Sequence, residues 1–180
     1  IQIEGNHIGT NVAGTASLGN TRQGVRIQTS ATNTVLGGST SAARNIISGT
    51  NSNGVWIDGE GTDNTIDTGY YSGLNATGTA ALGNNGVPVG VAYGPNNTRI
   101  GTDGDGVADT AERNVMSGNL YELLVIGEGT DGTVIAGNYI GTDVTGNSSI
   151  PNGAGIQIRY GAQNTRIGTD GDGNGFDENE

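Results

Sequence analysis

The chain has 180 residues, 35 of them Gly, no Cys, and 18 acidic against seven basic residues, for a formal net charge of −11. That charge repels phosphate and argues against a nucleic-acid partner or an anionic membrane surface. The lack of Cys excludes disulfides and thiolate metal sites, and no apolar run approaches the length of a membrane-spanning helix.

In chain order, the first strand signal is Gly5-Asn6-His7-Ile8-Gly9-Thr10, which runs into a polar loop from Asn11 to Asn20. Val25-Arg26-Ile27 follows, then Asn33-Thr34-Val35-Leu36, then Arg44-Asn45-Ile46-Ile47-Ser48-Gly49. The cycle then restarts. The first of these signals recurs at Val55-Trp56-Ile57, Val89-Gly90-Val91, Leu123-Leu124-Val125 and Ile156-Gln157-Ile158, with steps of 30, 34, 34 and 33 residues. The second recurs at Asn64-Thr65-Ile66, Asn97-Thr98-Arg99-Ile100, Gly132-Thr133-Val134-Ile135 and Asn164-Thr165-Arg166-Ile167, with steps of 31, 33, 35 and 32. Two strand signals locked to one long period predict a solenoid. No segment sustains an apolar period of 3.6, so essentially no helix is expected.

The third signal of each coil alternates in type. Gly69-Tyr70-Tyr71-Ser72-Gly73-Leu74 and Gly137-Asn138-Tyr139-Ile140-Gly141-Thr142 match the opening segment and continue into loops at 75–84 and 143–152. Arg113-Asn114-Val115-Met116-Ser117-Gly118 matches the segment at Arg44 instead. The repeating unit is therefore two coils. The reading is all-β: about five coils of 30–35 residues, three short strands per coil, three parallel sheets, and one domain over 1–180. Because the chain opens within a repeat and lacks a signal peptide, it is expected to be a mature or excised segment of a longer array or fibre.

Alternation within the strands sets the inward face. Val25 and Ile27 and their equivalents are aliphatic throughout, whereas the residues between them are Arg26, Trp56, Gly90, Leu124 and Gln157. The aliphatic pairs should build the core and the others should face out. Asn33, Asn64, Asn97 and Asn164 stand at one turn and suggest an amide ladder. Thr34, Thr65, Thr98, Thr133 and Thr165 form a column that shares the parity of Leu36 and Ile100, and so should point inward.

The strings Asn-Thr-x-Ile-Gly, Arg-Asn-Ile-Ile-Ser-Gly and Gly-Asn-Tyr-Ile-Gly-Thr-Asp resemble the right-handed parallel β-helix repeats of bacterial extracellular proteins, a superfamily that includes pectate-lyase-like enzymes. The resemblance covers nearly the whole chain. It implies a right-handed parallel β-helix located outside the cell or on its surface. Among the members of that group, near-regular repeats without an enzyme signature resemble the noncatalytic regions of large surface, adhesin or fibre proteins. The expected partners are neighbouring repeats of the same chain or further copies stacked end to end. A polysaccharide-binding or polysaccharide-processing protein, of lyase, epimerase or hydrolase type, is the alternative.

Few residues offer chemistry. Asp103, Asp105 and Asp109, followed by Glu112, alternate with Gly in a way that lets a loop curl oxygens around a hard cation such as Ca²⁺. Asp170, Asp172 and Asp177 repeat the pattern 67 residues on. A solvated acidic turn is the plain alternative. Coil two breaks its own pattern, with Asp67 standing where Leu36 and Ile100 stand elsewhere. Either Asp67, Tyr70 and Tyr71 hold a sugar, or a one-residue bulge turns Ile66 inward and Asp67 outward. Trp56 is a candidate stacking platform for carbohydrate. His7 is the single histidine; it aligns with Tyr71 and Tyr139 and reads as a surface ring, without partners for a nucleophilic triad.

Overall fold

The computed structural model describes residues 1–168, which form three parallel sheets wound as a β-solenoid of about five turns. The first sheet holds Val25–Gln28, Val55–Asp58, Val89–Ala92, Leu123–Ile126 and Ile156–Arg159. The second holds Gln2–Ile3, Val35–Leu36, Ile66–Asp67, Arg99–Gly101, Val134–Ala136 and Arg166–Ile167. The third holds His7–Ile8, Ile46–Ile47, Tyr71–Ser72, Val115–Met116 and Tyr139–Ile140. Each circuit of the chain places one strand in each sheet, beside its equivalent from the previous coil. One short helix, Asp109–Glu112, interrupts the pattern among the described residues. It lies in an insertion between the second and third sheets.

Register makes the core. Ile27, Ile57, Val91, Val125 and Ile158 are paired in line across the first sheet. Leu36, Asp67, Ile100, Ile135 and Ile167 do the same in the second. Except for Ile158 and Ile167 of the last coil, which are exposed, the apolar members of these columns interlock with Ile47 and Met116 of the third sheet in one cluster. Each fully buried aliphatic side chain contributes about 1.5–3 kcal/mol, so a narrow column repeated over five coils stabilises a chain of modest hydrophobicity. The Thr column is inward as expected. Thr34, Thr65, Thr98 and Thr133 are buried, and their hydroxyls have no hydrogen-bond partner.

The turn asparagines do something other than build a ladder. Asn33, Asn64, Asn97 and Asn164 are exposed and have φ of 51°, 56°, 55° and 49°. The fifth equivalent is Gly132, with φ of 65°. The position demands the left-handed region, which Asn and Gly tolerate better than other residues. Between these amides there is one long contact, Asn97 Nδ2 donating to Asn64 Oδ1 at 3.5 Å. The buried ladder lies at another corner. Asn84 Nδ2 donates to Asn119 Oδ1 at 2.9 Å, and Asn119 Nδ2 to Asn152 Oδ1 at 3.1 Å.

The loops of alternate coils stack as a second, lateral column. The side-chain Oδ1 of Asn11, Asn75 and Asp143 accepts the backbone N–H of Thr15, Thr79 and Asn147 at 2.8, 3.0 and 3.3 Å, which gives the three loops a shared internal brace. Gly14 lies against the His7 ring, Gly78 against Tyr71 and Gly146 against Tyr139; a Cβ on any of them would fall about 3 Å from the ring. That contact explains why His7 aligns with two tyrosines. The loops also bond to one another: Ala76 N–H donates to Gly14 O and Val144 N–H to Gly78 O, both at 2.9 Å.

On the outside of the first sheet, Trp56 lies across Gly90 in the next coil. A Cβ at Gly90 would sit 2.2 Å from Trp56 Cζ3. The indole joins Val87, Ala92, Leu124 and Ile126 in an outward apolar cluster, so the residues expected to face solvent are partly covered by each other. Gly90→Ala should push the indole off the sheet, at a cost of about 1–3 kcal/mol. Trp56 is the only tryptophan, so a red shift of its fluorescence reads this out directly; an unmoved spectrum would contradict the packing.

Candidate functional site

The insertion after the second-sheet strand Arg99–Gly101 gathers the carboxylates predicted as metal ligands. Asp103, Asp105 and Asp109 each bring one carboxylate oxygen within 4.8 Å of the others. The local sequence folds this way because each turn is braced by its own side chains. Asp105 N–H donates to Asp103 Oδ1 at 3.2 Å, Val107 N–H to Asp105 Oδ1 at 2.7 Å, and Gly104 N–H to Thr102 Oγ1 at 2.9 Å. Gly104 and Gly106 take φ of 75° and 80°, which lets the loop curl at these points. Asp109 opens the helix, is buried, and accepts the hydroxyl of Thr102.

The donor set fits a hard divalent cation: oxygens only, three of them anionic, on a loop whose backbone is already folded. Each of the three carboxylates also accepts one hydrogen bond within the loop through Oδ1. Glu112 stands apart from this group. Its Oε2 accepts the backbone N–H of Asp103 at 3.3 Å. Burial holds its carboxyl above the usual range, with repulsion from Asp103, Asp109 and Asp105 adding to the effect. Asp170, Asp172 and Asp177, the second predicted set, lie outside the described residues.

The sugar-binding candidates of coil two are not at the surface. Asp67 pairs with Leu36 and Ile100 without a bulge, is fully buried, and leaves its neighbour Ile66 facing out at 42% exposure. Tyr70 is also fully buried, and its hydroxyl donates to Asp67 Oδ2 at 3.2 Å. Asp67 Oδ1 has no hydrogen-bond partner. Burial pushes the Asp67 carboxyl up to about 8, and the Tyr70 hydrogen bond pulls the other way. The carboxyl is therefore a neutral acid inside the core at neutral pH, and neither residue can touch a glycan outside. Tyr71 is buried beneath Gly78 and the Arg44 guanidinium. Trp56 keeps partial exposure on the first sheet, apart from the acidic loop.

Sequence reasoning missed a depression of about 440 Å³ over the outer face of the second sheet. Val35, Ile66 and Arg99 form its floor, and Asp103 and Glu112 belong to its wall. The signal was the outward parity of Val35, Ile66 and Arg99 beside the inward Thr and Leu/Ile columns. The acidic insertion then walls one side of a surface that would otherwise be flat.

These features define a parallel β-solenoid with an acidic side loop. No protein-family model, curated protein or solved structure matches the chain.

Proposed function

We propose that the chain is a non-catalytic structural segment of an extracellular surface, adhesin or fibre-forming protein, of the bacterial parallel β-helix type, and that Ca²⁺ held by Asp103, Asp105 and Asp109 stiffens its side loop. The observation that carries this reading is that the regular features of the sequence serve stacking. The aliphatic, Thr and buried Asn columns, and the ring-and-glycine contacts of the loops, all join one coil or loop to the next. At about 4.8 Å per coil, such a segment acts as a stiff spacer. Its stacking partners are neighbouring repeats or further copies.

The depression on the second sheet favours a second reading, a polysaccharide-binding surface. Beside it, a second depression of about 290 Å³ shares Val35, Ile66 and Arg99 and is lined by Asn33, Asn64 and Asn97. Incubation with acidic and neutral polysaccharides separates the two readings. The structural segment gives neither retention on the polymer nor new reducing or unsaturated ends. Product formation would overturn the proposal, and retention without products would favour the second reading.

A further inference from the structure

Seven arginines face 18 carboxylates in this chain, so a guanidinium lacking a carboxylate partner calls for an explanation. Among the described residues the ion pair is Arg26 with Asp58, at 2.7 Å. Arg44 lies over the Tyr71 ring, 4.6 Å from its centroid, and Arg113 lies over the Tyr139 ring at 4.0 Å. The two arginines occupy equivalent positions, each two residues before a third-sheet strand. Both line one cavity of about 220 Å³, together with Tyr71, Thr110, Val115 and Val144.

Stacking on a ring satisfies the face of a guanidinium but not its N–H edge. Arg44 Nε is buried and has no hydrogen-bond partner. A buried donor of a charged group without an acceptor is costly; this nitrogen is closed off from the cavity, so what Arg44 offers a ligand there is the Nη edge of its fork. Arg113 donates its Nε to Gly137 O at 2.9 Å, which fixes the plane of the fork. Among the described residues no carboxylate forms an ion pair with either arginine. Asp109 takes the Thr102 hydroxyl and Glu112 the Asp103 N–H, both on the acidic-loop side of the helix. Asp143 accepts from Thr145, Asn147 and Ser148 within its own loop.

We propose that this cleft binds an oxyanion, with Arg44 as its principal donor, Arg113 as its second, and Thr110 as a hydroxyl at the rim. Two guanidinium groups without a carboxylate partner line this one cavity, and the planar Nη edge of such a group matches two oxygens of a sulfate, phosphate or carboxylate group. Val115 and Val144 supply apolar walls that strengthen the attraction by excluding water. The group reaches the cleft either as a free inorganic anion or carried on an acidic saccharide. This inference is independent of the metal site and of the depression on the second sheet.

The test is a titration of the full chain with sodium sulfate, with inorganic phosphate and with a sulfated disaccharide. It is run at matched ionic strength in chloride and followed through the arginine Nε–Hε NMR signals. The Arg44 signal should move saturably. Arg44→Gln should weaken binding about tenfold or more, the usual effect of losing a hydrogen bond to a charged group, while Arg22→Gln, which removes an exposed charge elsewhere, leaves it unchanged. Arg44→Lys keeps the charge and the ring contact but loses the fork; it should melt like the parent and still bind several-fold more weakly. Saturation by sulfate and phosphate alone assigns a free anion, and saturation by the disaccharide alone assigns a saccharide-borne group. An Arg44 signal that none of the three moves, or equal weakening by Arg22→Gln and Arg44→Gln, would overturn the proposal.

Discussion

Asp67→Asn should remove a pH dependence of stability that the parent protein carries between about pH 4 and pH 8. The folded-state carboxyl is raised to about 8 by burial, whereas an unfolded chain ionises it near 3.9. Below about pH 4 the group is protonated in both states and its contribution is fully present. Between the two values the folded state holds a proton that the unfolded state has released, so stability falls as pH rises. Above about pH 8 the loss is complete. The span implies a loss on the order of 5 kcal/mol, an upper bound if the core admits water once the acid ionises. Asn keeps an acceptor for the Tyr70 hydroxyl and cannot ionise. Denaturant melts of parent and variant from pH 4 to pH 9 should therefore diverge steadily, with the variant more stable at the alkaline end. Parallel curves would show that Asp67 is not a buried acid.

The second large effect concerns the corner glycines of the second sheet. Gly101 has φ of 106°, and a Cβ there would lie 1.8 Å from the carbonyl oxygen of Ala136 in the next coil. Gly37 repeats the arrangement, with φ of 94° and 1.7 Å to Thr68 O. In both cases the obstacle is backbone held by sheet hydrogen bonds, so no side-chain rotation relieves it. Strained backbone and overpacking together put Gly101→Ala at about 3–5 kcal/mol destabilising. Gly155→Ala is the matched control, since a Cβ there meets nothing within 4 Å, and it should stay within about 0.5 kcal/mol of the parent. Chemical denaturation of the two variants side by side checks this, and equal stabilities would contradict the corner geometry.

The coils were legible because stacking repeats the same demand at every turn. A column such as Ile27, Ile57 and Val91 must be aliphatic each time the chain passes, and that requirement is visible as a period. Positions that answer to a single neighbour were harder to read. Asp67 aligned with Leu36 and Ile100, but the usual cost of burying a carboxylate favoured a bulge; a neutral acid with a tyrosine hydroxyl three residues away meets that cost without changing register. The turn asparagines looked like a ladder because they recur, yet Gly132 among them marks a demand for positive φ rather than for an amide. Trp56 was read singly, although its position depends on Gly90 lacking a side chain one coil later.

The acidic loop was legible as a carboxylate pattern. The sequence did not show that Glu112 turns to the Asp103 backbone while Asp109 turns into the cluster, because a short helix sets those directions. The Arg44 cleft left no sequence signal beyond two equivalent arginines, since it depends on side chains reaching across coils.

Thermal unfolding at a series of free calcium concentrations, with and without chelator, tests the proposed metal centre most directly. Binding to the folded loop should raise the melting temperature with the logarithm of free calcium above the dissociation constant, by about 2.7 kcal/mol at a hundredfold excess, or roughly 5–10 °C for a chain of this size. Asp105→Ala should abolish most of that rise while leaving the coils folded, because the Val/Ile columns do not depend on the ion. A melting curve indifferent to millimolar calcium and to chelator would contradict the metal centre and leave Asp103, Asp105 and Asp109 as an acidic turn.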